Sequence, residues 1–512
     1  MKVGILELLL GVPTTRGLES IGHHLITKQY ASIMPQAIAA WCRQLGHEVF
    51  YATYYGQSDP KGLLPDDLDI VFIGCYTRAS ALAYALSKLY QKERTRTVIG
   101  GPHAKSFPHD CLRFFDLVVL QCDKTVISDI LSGVYSPHTI ISSGRTLSDL
   151  PSVEERMPEI KASAFSRSGR PSFSTIIPML ASVGCPYACN FCTDWNNPYS
   201  LLPLDRLEAD LRYLSHHWPG VKLAFHDPNF AVKFDQTLEV MERLPPNARN
   251  PYIVESSLSL LRGSRLERLR DTNCIYIAPG IESWSSYSNK TGVGKKSGAE
   301  KVMLLADHLK LLHKQVPGIQ VNFIFGLDTD EGDEPVELTK QFIRQTSFAW
   351  PVINIPMPFG GTPLFDQYLD EGRILESVPF TFYYFPYLVT TLKNYDPLVY
   401  YQKLLDLLVY SVTGEVFWRR QWTTPSWTLR FFYLMRTLGM GRQVQQVKEI
   451  LKTMTADPQF LAFHRRESAV LPEFYHREYE RQLGRYAGLM SREDRTPVLT
   501  PASTVRPLAL VK

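Results

Sequence analysis

Apolar residues in the first 135 positions come in short unbroken runs, separated by stretches of helical period. KVGILELL (2–9), EVFYATYY (48–55), DIVFIGCYT (69–77), RTVIGGPHA (96–104) and FDLVVLQC (115–122) read as strands. The third is apolar throughout, the pattern of a strand covered on both faces in a parallel sheet. Between them, ASIMPQAIAAWCRQLGH (31–47), RASALAYALSKLYQKE (78–93) and KTVISDIL (124–131) read as helices. This strand–helix alternation predicts a doubly wound, Rossmann-like α/β domain over 1–135.

Residues 136–174 are rich in Ser, Pro and charge and read as a linker. A second alternation follows. Strands are expected at 175–183, 221–226, 251–257, 274–280, 319–326 and 351–356, with helices at 203–216, 232–243, 262–271, 297–314 and 334–347. Strands and helices alternating at this spacing suggest a partial (β/α)6 TIM-type barrel over 175–379. From about 380 the texture turns aromatic, as in FTFYYFPYLVTTLKNYDPLVYYQKLLDLLVYSV, and a mostly helical C-terminal domain is expected to 494. Residues 495–512 read as a flexible tail.

Composition narrows the class. A chain of 512 residues exceeds one ordinary core, and 45% apolar with 21% charged residues is usual for a soluble protein. The formal net charge of +4 is too small to imply a nucleic-acid partner. No run approaches a membrane span. The apolar N-terminal run ends in GVPTT with no small-residue cleavage pattern, which fits a buried strand better than a signal peptide. A cytoplasmic location follows as the expectation, with reduced thiols there.

Three of the eight cysteines crowd into ASVGCPYACNFCTDW, at Cys185, Cys189 and Cys192, directly after a predicted strand. In a reducing compartment such a group reads as metal ligands. Structural zinc takes four N/S ligands; no second Cys pair follows, and the histidines show no H-x3-5-H pairing near the loop. A [4Fe–4S] cluster usually takes four cysteines, so three leave one iron open. A strand-end loop of a barrel is where a ligand would reach that iron. S-adenosylmethionine, with its amino and carboxylate groups, could chelate it, and an electron from the cluster could then split its carbon–sulfur bond.

CPYACNFC resembles the CxxxCxΦC signature of the radical SAM superfamily, with Phe191 as the aromatic. Other strand ends resemble the same family. LAFHDPNFAV marks Asp227 and Asn229, by that resemblance, as binding the methionine amino group or shaping its pocket. IVESS points to Glu255 and Ser256 at the ribose or carboxylate. APGIESWSSYSNK resembles the family's GIES segment and marks Glu282 and Ser283. NFIFGLDTDEGDE carries Asp328 where relatives have proline, and NIPMPFGGTPLF resembles their PGTP exit with one extra glycine, Gly360-Gly361. Each has a plainer reading: acids paired with Lys or Arg at the mouth, glycines serving turns.

The doubly wound domain ahead of the barrel resembles that of the cobalamin-binding subclass of the family, and the resemblance runs over residues 1 to about 375. It implies a corrinoid in the crevice at the strand ends, with Gly100 and Gly101 near its tail and Tyr76 and Thr77 near the corrin. Two departures stand out. The Asp-x-His-x-x-Gly loop of classical cobalamin domains is absent, although His23 and His24 follow the first strand. QCDKT (121–125) replaces the relatives' Gly-Glu-Gly-Glu turn.

The resemblance implies a cobalamin-dependent radical SAM methyltransferase acting at an unactivated carbon. It brings three cofactors, a [4Fe–4S] cluster, S-adenosylmethionine and cobalamin. The alternative is a radical SAM enzyme for cyclisation or rearrangement with a degenerate cobalamin domain. A non-catalytic iron–sulfur protein is the third reading. Expected partners are a large, partly apolar small-molecule substrate of natural-product, tetrapyrrole or lipid type, and a flavodoxin or ferredoxin as external electron donor. WTLRFFYLMRTLGMGRQ reads either as a helix covering the barrel or as a peripheral membrane contact.

Overall fold

The computed structural model describes residues 1–11, 27–57, 59–166, 168–287, 289–501 and 509–511. His23, His24 and most of the loop after the first strand lie outside the described residues.

The first sheet is parallel throughout. Its strands are β1 (Lys2–Leu8), β2 (Glu48–Tyr54), β3 (Ile70–Cys75), β4 (Arg96–Gly100), β5 (Leu117–Gln121) and β6 (Thr139–Ser143). They lie in the order β2-β1-β3-β4-β5-β6. Helices cover both faces, so β1 and β3 are almost wholly buried and their apolar runs are continuous. The helix Ser80–Lys92 is buried nearly all round, which explains its Ala-rich, unstriped sequence.

The segment 136–174, expected as a linker, holds β6 and the helix Met157–Ala164. Its polar composition hid a strand of five residues, TIISS, whose serines are buried at the sheet end. There Ser143 Oγ donates to Asp123 at 2.6 Å.

The second sheet is the partial barrel. β7 (Ile176–Met179) is followed by a small hairpin of β8 (Ser182–Val183) and β9 (Ser200–Leu201). Then come β10 (Lys222–Phe225), β11 (Tyr252–Val254), β12 (Cys274–Ile277), β13 (Gly280–Glu282), β14 (Gly318–Ile324) and β15 (Trp350–Asn354). The parallel path runs β7-β10-β11-β12-β14-β15. β12 and β13 are one interrupted strand: β12 pairs the lower half of β14 and β13 the upper half, with Ala278-Pro279 between. Proline has no N–H for the ladder, so the pairing breaks there. The expected strand 175–183 is likewise two pieces. The hairpin β8–β9 brackets the cysteine loop between its arms.

The C-terminal part is helical, at Pro397–Ser411, Gly414–Thr423, Trp427–Ala456, Pro458–His464 and Glu473–Leu483. One apolar core runs through all three parts, from Leu6 and Ile99 of the first sheet through Phe325 and Ile353 of the barrel to Tyr400 and Met454. Within the expected tail, β16 (Ala509–Val511) pairs in parallel with β6 and closes that edge of the first sheet.

Candidate functional site

The carboxyl ends of the two sheets face each other, and the cysteine loop lies between them. After β4, the segment 102–107 meets the loop after β15. A side chain at Gly360 would run into the Ser106 carbonyl and the Phe107 ring. Phe107 stacks on Phe380 with centroids 3.7 Å apart, and Thr381 Oγ1 donates to the Arg78 carbonyl at 3.0 Å. The Lys105 ammonium pairs with Asp194 at 3.0 Å, tying the first sheet to the cysteine loop.

The loop is held along its length. Cys185 N–H donates to Asn197 O, and Cys192 N–H to Cys189 O, both at 3.0 Å. Gly184 has φ +69° and its missing Cβ faces the Asn197 and Pro198 carbonyls, so only glycine fits. Asp194 N–H points at Cys192 Sγ, 3.5 Å away. Trp195 Nε1 donates to Gly361 O at 2.8 Å and Leu364 N–H to Asn190 O at 2.9 Å, so the glycine pair after β15 clamps the loop from the other side.

Burial raises the thiols of Cys189 and Cys192. Among the described residues no three His, Cys, Asp or Glu side chains converge tightly enough for a single metal ion. Three thiols on one fixed loop, with no fourth protein ligand beside them among the described residues, suit a cubane that leaves one iron open.

Beside the loop a cavity of about 490 Å³ runs down the barrel. Phe191, Met357, Phe359, Tyr384 and Phe385 supply apolar walls, and Gln320, Asn322 and Asn354 supply amides. Its two carboxylates are Glu255 and Glu282. Glu255 opens onto the cavity although protein encloses it, and that burial raises its carboxyl. Glu282 has φ +65°, uncommon for a side-chain-bearing residue, and burial pushes its carboxyl up to about 7 against the pull of Lys290. Its carboxylate folds over Gly280, where a Cβ would strike it. The buried Tyr383 hydroxyl, on the cavity wall, has no hydrogen-bond partner among the described residues and could be satisfied by a ligand.

The remaining expected residues sit behind this surface. Asp227 is 2% exposed and accepts from Ala181 N–H at 3.1 Å and Ser182 Oγ at 2.5 Å, which ties the end of β10 to the start of the cysteine loop. Burial pushes its carboxyl up to about 6. Asn229 exchanges hydrogen bonds with Ser257, and Ser256 Oγ donates to Phe230 O at 3.0 Å. Ser283 is held by Ser285 and Asp330, and its carbonyl accepts from buried Lys301 at 2.7 Å. Asp328 forms a two-pronged pair with Arg373, both contacts at 2.8 Å.

Lys290 escaped the sequence reading. It lies within electrostatic reach of all three cysteines and of both glutamates. It sits eight positions after Glu282 on the same strand-end loop, the one signal that could have found it. Gln320 and Asn322 were also missed; polar residues at alternate positions of an otherwise apolar strand mark the face turned to a cavity.

In the first sheet, the order β2-β1-β3 makes the gap between β1 and β3 the switch point where a ligand would enter. Tyr76 caps the end of β3, its hydroxyl 3.2 Å from Ser32 Oγ, and Thr77 is buried beside it. Arg78 Nε donates to Leu9 O at 2.9 Å across the gap. The two glycines differ. Gly101, at φ +92°, packs on the Cys75 backbone and is required by the fold. At Gly100 a Cβ would find only the Val119 carbonyl, at an ordinary 3.7 Å. Internal packing does not demand that glycine, which suits close approach of a ligand to the backbone. A nucleotide-tailed corrinoid suits the switch point between β1 and β3, the bare backbone at Gly100 and strand ends turned to the barrel.

Residues 179–342 match the family model of the radical SAM superfamily. The chain is 25% identical over 327 residues to the bacteriochlorophyllide d C-12(1)-methyltransferase of Chlorobaculum tepidum, covering 60% of this chain and 68% of that protein. It is 23% identical over 363 residues to the bacteriochlorophyllide d C-8(2)-methyltransferase of the same organism, covering 68% and 79%. Two solved structures share the fold. One is the radical S-adenosylmethionine methyltransferase TsrM from Kitasatospora setae with cobalamin and [4Fe-4S] cluster bound (TM-score 0.51, 12% identity, 74% of this chain and 79% of that one). The other is the cobalamin-dependent S-adenosylmethionine radical enzyme OxsB with aqua-cobalamin bound (TM-score 0.54, 11% identity, 95% and 79%).

Proposed function

The chain carries a radical SAM domain, and from that premise we propose that it is a cobalamin-dependent radical SAM enzyme that methylates an unactivated carbon. The observation that carries this reading is the facing of the strand ends of the two sheets, tied by Lys105–Asp194 and by Gly360 against Ser106, with the cysteine loop between them. When bound, the cluster supplies the electron that splits S-adenosylmethionine and the corrinoid supplies the methyl group.

The chain's own residues do the positioning. Cys185, Cys189 and Cys192 hold the cluster. Glu255 and Glu282, the two carboxylates on the cavity, take the amino and ribose ends of S-adenosylmethionine. Lys290 balances the charge of the thiolates and of both acids. Asp227, Asn229, Ser256 and Ser283 act one step back, fixing the loops that carry these groups. Tyr76, Thr77, Gly100 and Gly101 line the corrinoid side. Residues 380–385 cover the cavity and exclude water from it. In this division residues 1–135 serve the corrinoid, 175–379 the cluster, and 380–494 the substrate side.

The curated relatives are named for a tetrapyrrole, and the cavity walls are aromatic and aliphatic with amides between them. The substrate is accordingly placed among large, partly apolar planar molecules, of which a tetrapyrrole is the first to try. An external flavodoxin or ferredoxin supplies the electron, in the cytoplasm.

Anaerobic reconstitution with iron, sulfide and hydroxocobalamin tests the assignment. About four irons per chain, a retained corrinoid spectrum, and dithionite-dependent deoxyadenosine are expected. Cys189→Ala should abolish both the iron and the deoxyadenosine. A chain that cleaves S-adenosylmethionine but retains no corrinoid would replace methyl transfer by cyclisation or rearrangement. Undiminished cleavage by Cys189→Ala would remove the radical reading altogether.

A further inference from the structure

The helix Trp427–Ala456 has two apolar faces, where a helix that only covers a barrel needs one. Tyr433, Met440, Val447, Ile450 and Met454 are its buried residues. Tyr433 anchors it to the barrel, stacking on Trp350 and donating to Ile319 O. On the opposite side Trp427, Phe431, Leu434 and Leu438, in steps of four, three and four, form a single exposed stripe. Trp427 and Leu438 are 81% and 65% exposed.

Trp418 and Trp422, four apart on the preceding helix Gly414–Thr423, are also exposed, at 60% and 78%. Every exposed tryptophan among the described residues thus lies within ten positions of this corner. The corner is rigid. Arg430 Nε donates to Thr424 O at 2.7 Å and Gln421 Nε2 to Arg430 O at 3.3 Å, joining the two helices. Scattered exposed apolar groups need no explanation; a set of this size, carried on two helices hydrogen-bonded to each other, does.

The charges around it choose the occupant. Of the five arginines in segment 414–442, Arg420 is buried and Arg436 turns to the barrel, which leaves Arg419, Arg430 and Arg442 on the outer side with one acid, Glu415, paired with Arg419. At 100° per residue, Arg430 and Arg442 fall on the two borders of the exposed stripe. Tryptophan with arginine at the rim of an apolar stripe is the composition that settles at a membrane–water interface. A second copy of the chain pairing through this face would set arginine rims against each other, since a two-fold contact brings like surfaces together. No helix among the described residues is long and apolar enough to cross a membrane.

We propose that the corner formed by helices 414–423 and 427–456 docks the enzyme on the surface of an anionic lipid bilayer, with the tryptophan–leucine stripe in the headgroup layer. The helix also reaches the bottom of the barrel cavity: Arg436 donates to Gln320 at 2.7 Å and to the Tyr276 hydroxyl at 2.8 Å. Docking therefore sets the barrel on the membrane by its floor, with the cluster end turned away.

Flotation of the full chain with vesicles tests this. Wild type is expected to float with phosphatidylcholine vesicles containing phosphatidylglycerol, and not with phosphatidylcholine alone, and to be released by high salt. The triple variant Trp422→Ser, Trp427→Ser, Leu438→Ser should partition at least about tenfold less. Its circular dichroism and unfolding midpoint should stay unchanged, because all three side chains are exposed. Arg419→Gln with Arg442→Gln should weaken binding to the anionic vesicles alone, about fivefold per charge. Wild type that stays with the unbound fraction, or a triple variant that floats equally well, overturns the proposal. So does a concentration-dependent dimer that the triple variant breaks while neither protein binds vesicles.

Discussion

Glu7 is the one ionisable residue between apolar neighbours in β1, and it is 2% exposed. Its carboxylate accepts from Ser32 N–H at 2.6 Å and from the Tyr51 hydroxyl at 3.3 Å, with Tyr76 nearby. Burial outweighs those bonds and pushes the carboxyl up to about 7 from an ordinary 4.5. A carboxyl raised on folding favours the protonated native state. Its contribution is therefore full below the unfolded value and is lost as pH rises through the folded one. Between those limits the native state should lose about 3 kcal/mol. Glu7→Gln should flatten that slope, which denaturant titrations at about pH 5 and about pH 8 would read. An unchanged slope would place the titration elsewhere.

At the level of elements, the space a glycine leaves matters most where two elements touch. Gly360 lies where the loop after β15 meets the segment after β4, and its Cβ position is filled by the Ser106 carbonyl and the Phe107 ring. Backbone cannot step aside as a flexible side chain can, so Gly360→Ala should cost about 2–4 kcal/mol. Gly439, inside helix 427–456, has nothing within 4 Å of where its Cβ would stand. Gly439→Ala should instead stabilise by about 0.5–1 kcal/mol, through helix propensity alone. Equilibrium unfolding of the pair separates an interdomain contact from a local effect. Equal effects would mean that the Gly360 contact carries no weight.

Across the whole molecule, one apolar cluster joins a face of the first sheet, the β14–β15 side of the barrel and the C-terminal helices across the expected domain borders, while the rest of the barrel and the other face of the first sheet pack in two further clusters. Phe107, Phe365, Phe380 and Tyr383 interlock there from three parts of the chain. Units that share a core unfold together, so calorimetry should show one transition rather than one for each part. A separate early transition for either sheet would contradict that continuity.

What was legible along the chain was local. Period-two and unbroken apolar runs marked the strands of both sheets, because a strand buried on two faces has no place for polar residues. Glu7 is the charged exception inside β1, and its raised carboxyl shows why such exceptions are few. The spacing of Cys185, Cys189 and Cys192 was equally local, since one loop delivers all three ligands. β6 was not legible: its serines are satisfied by Asp123 and neighbouring backbone, a partnership between residues some twenty positions apart. Lys290 was not legible as a partner of the thiols for the same reason. Tertiary structure alone decided that Asp227, Asn229, Ser256 and Ser283 face loops and that Glu255 and Glu282 face the cavity. It alone turned the strand ends of one sheet toward those of the other. Sequence sets which groups a short segment can present; only packing between distant segments sets what they meet.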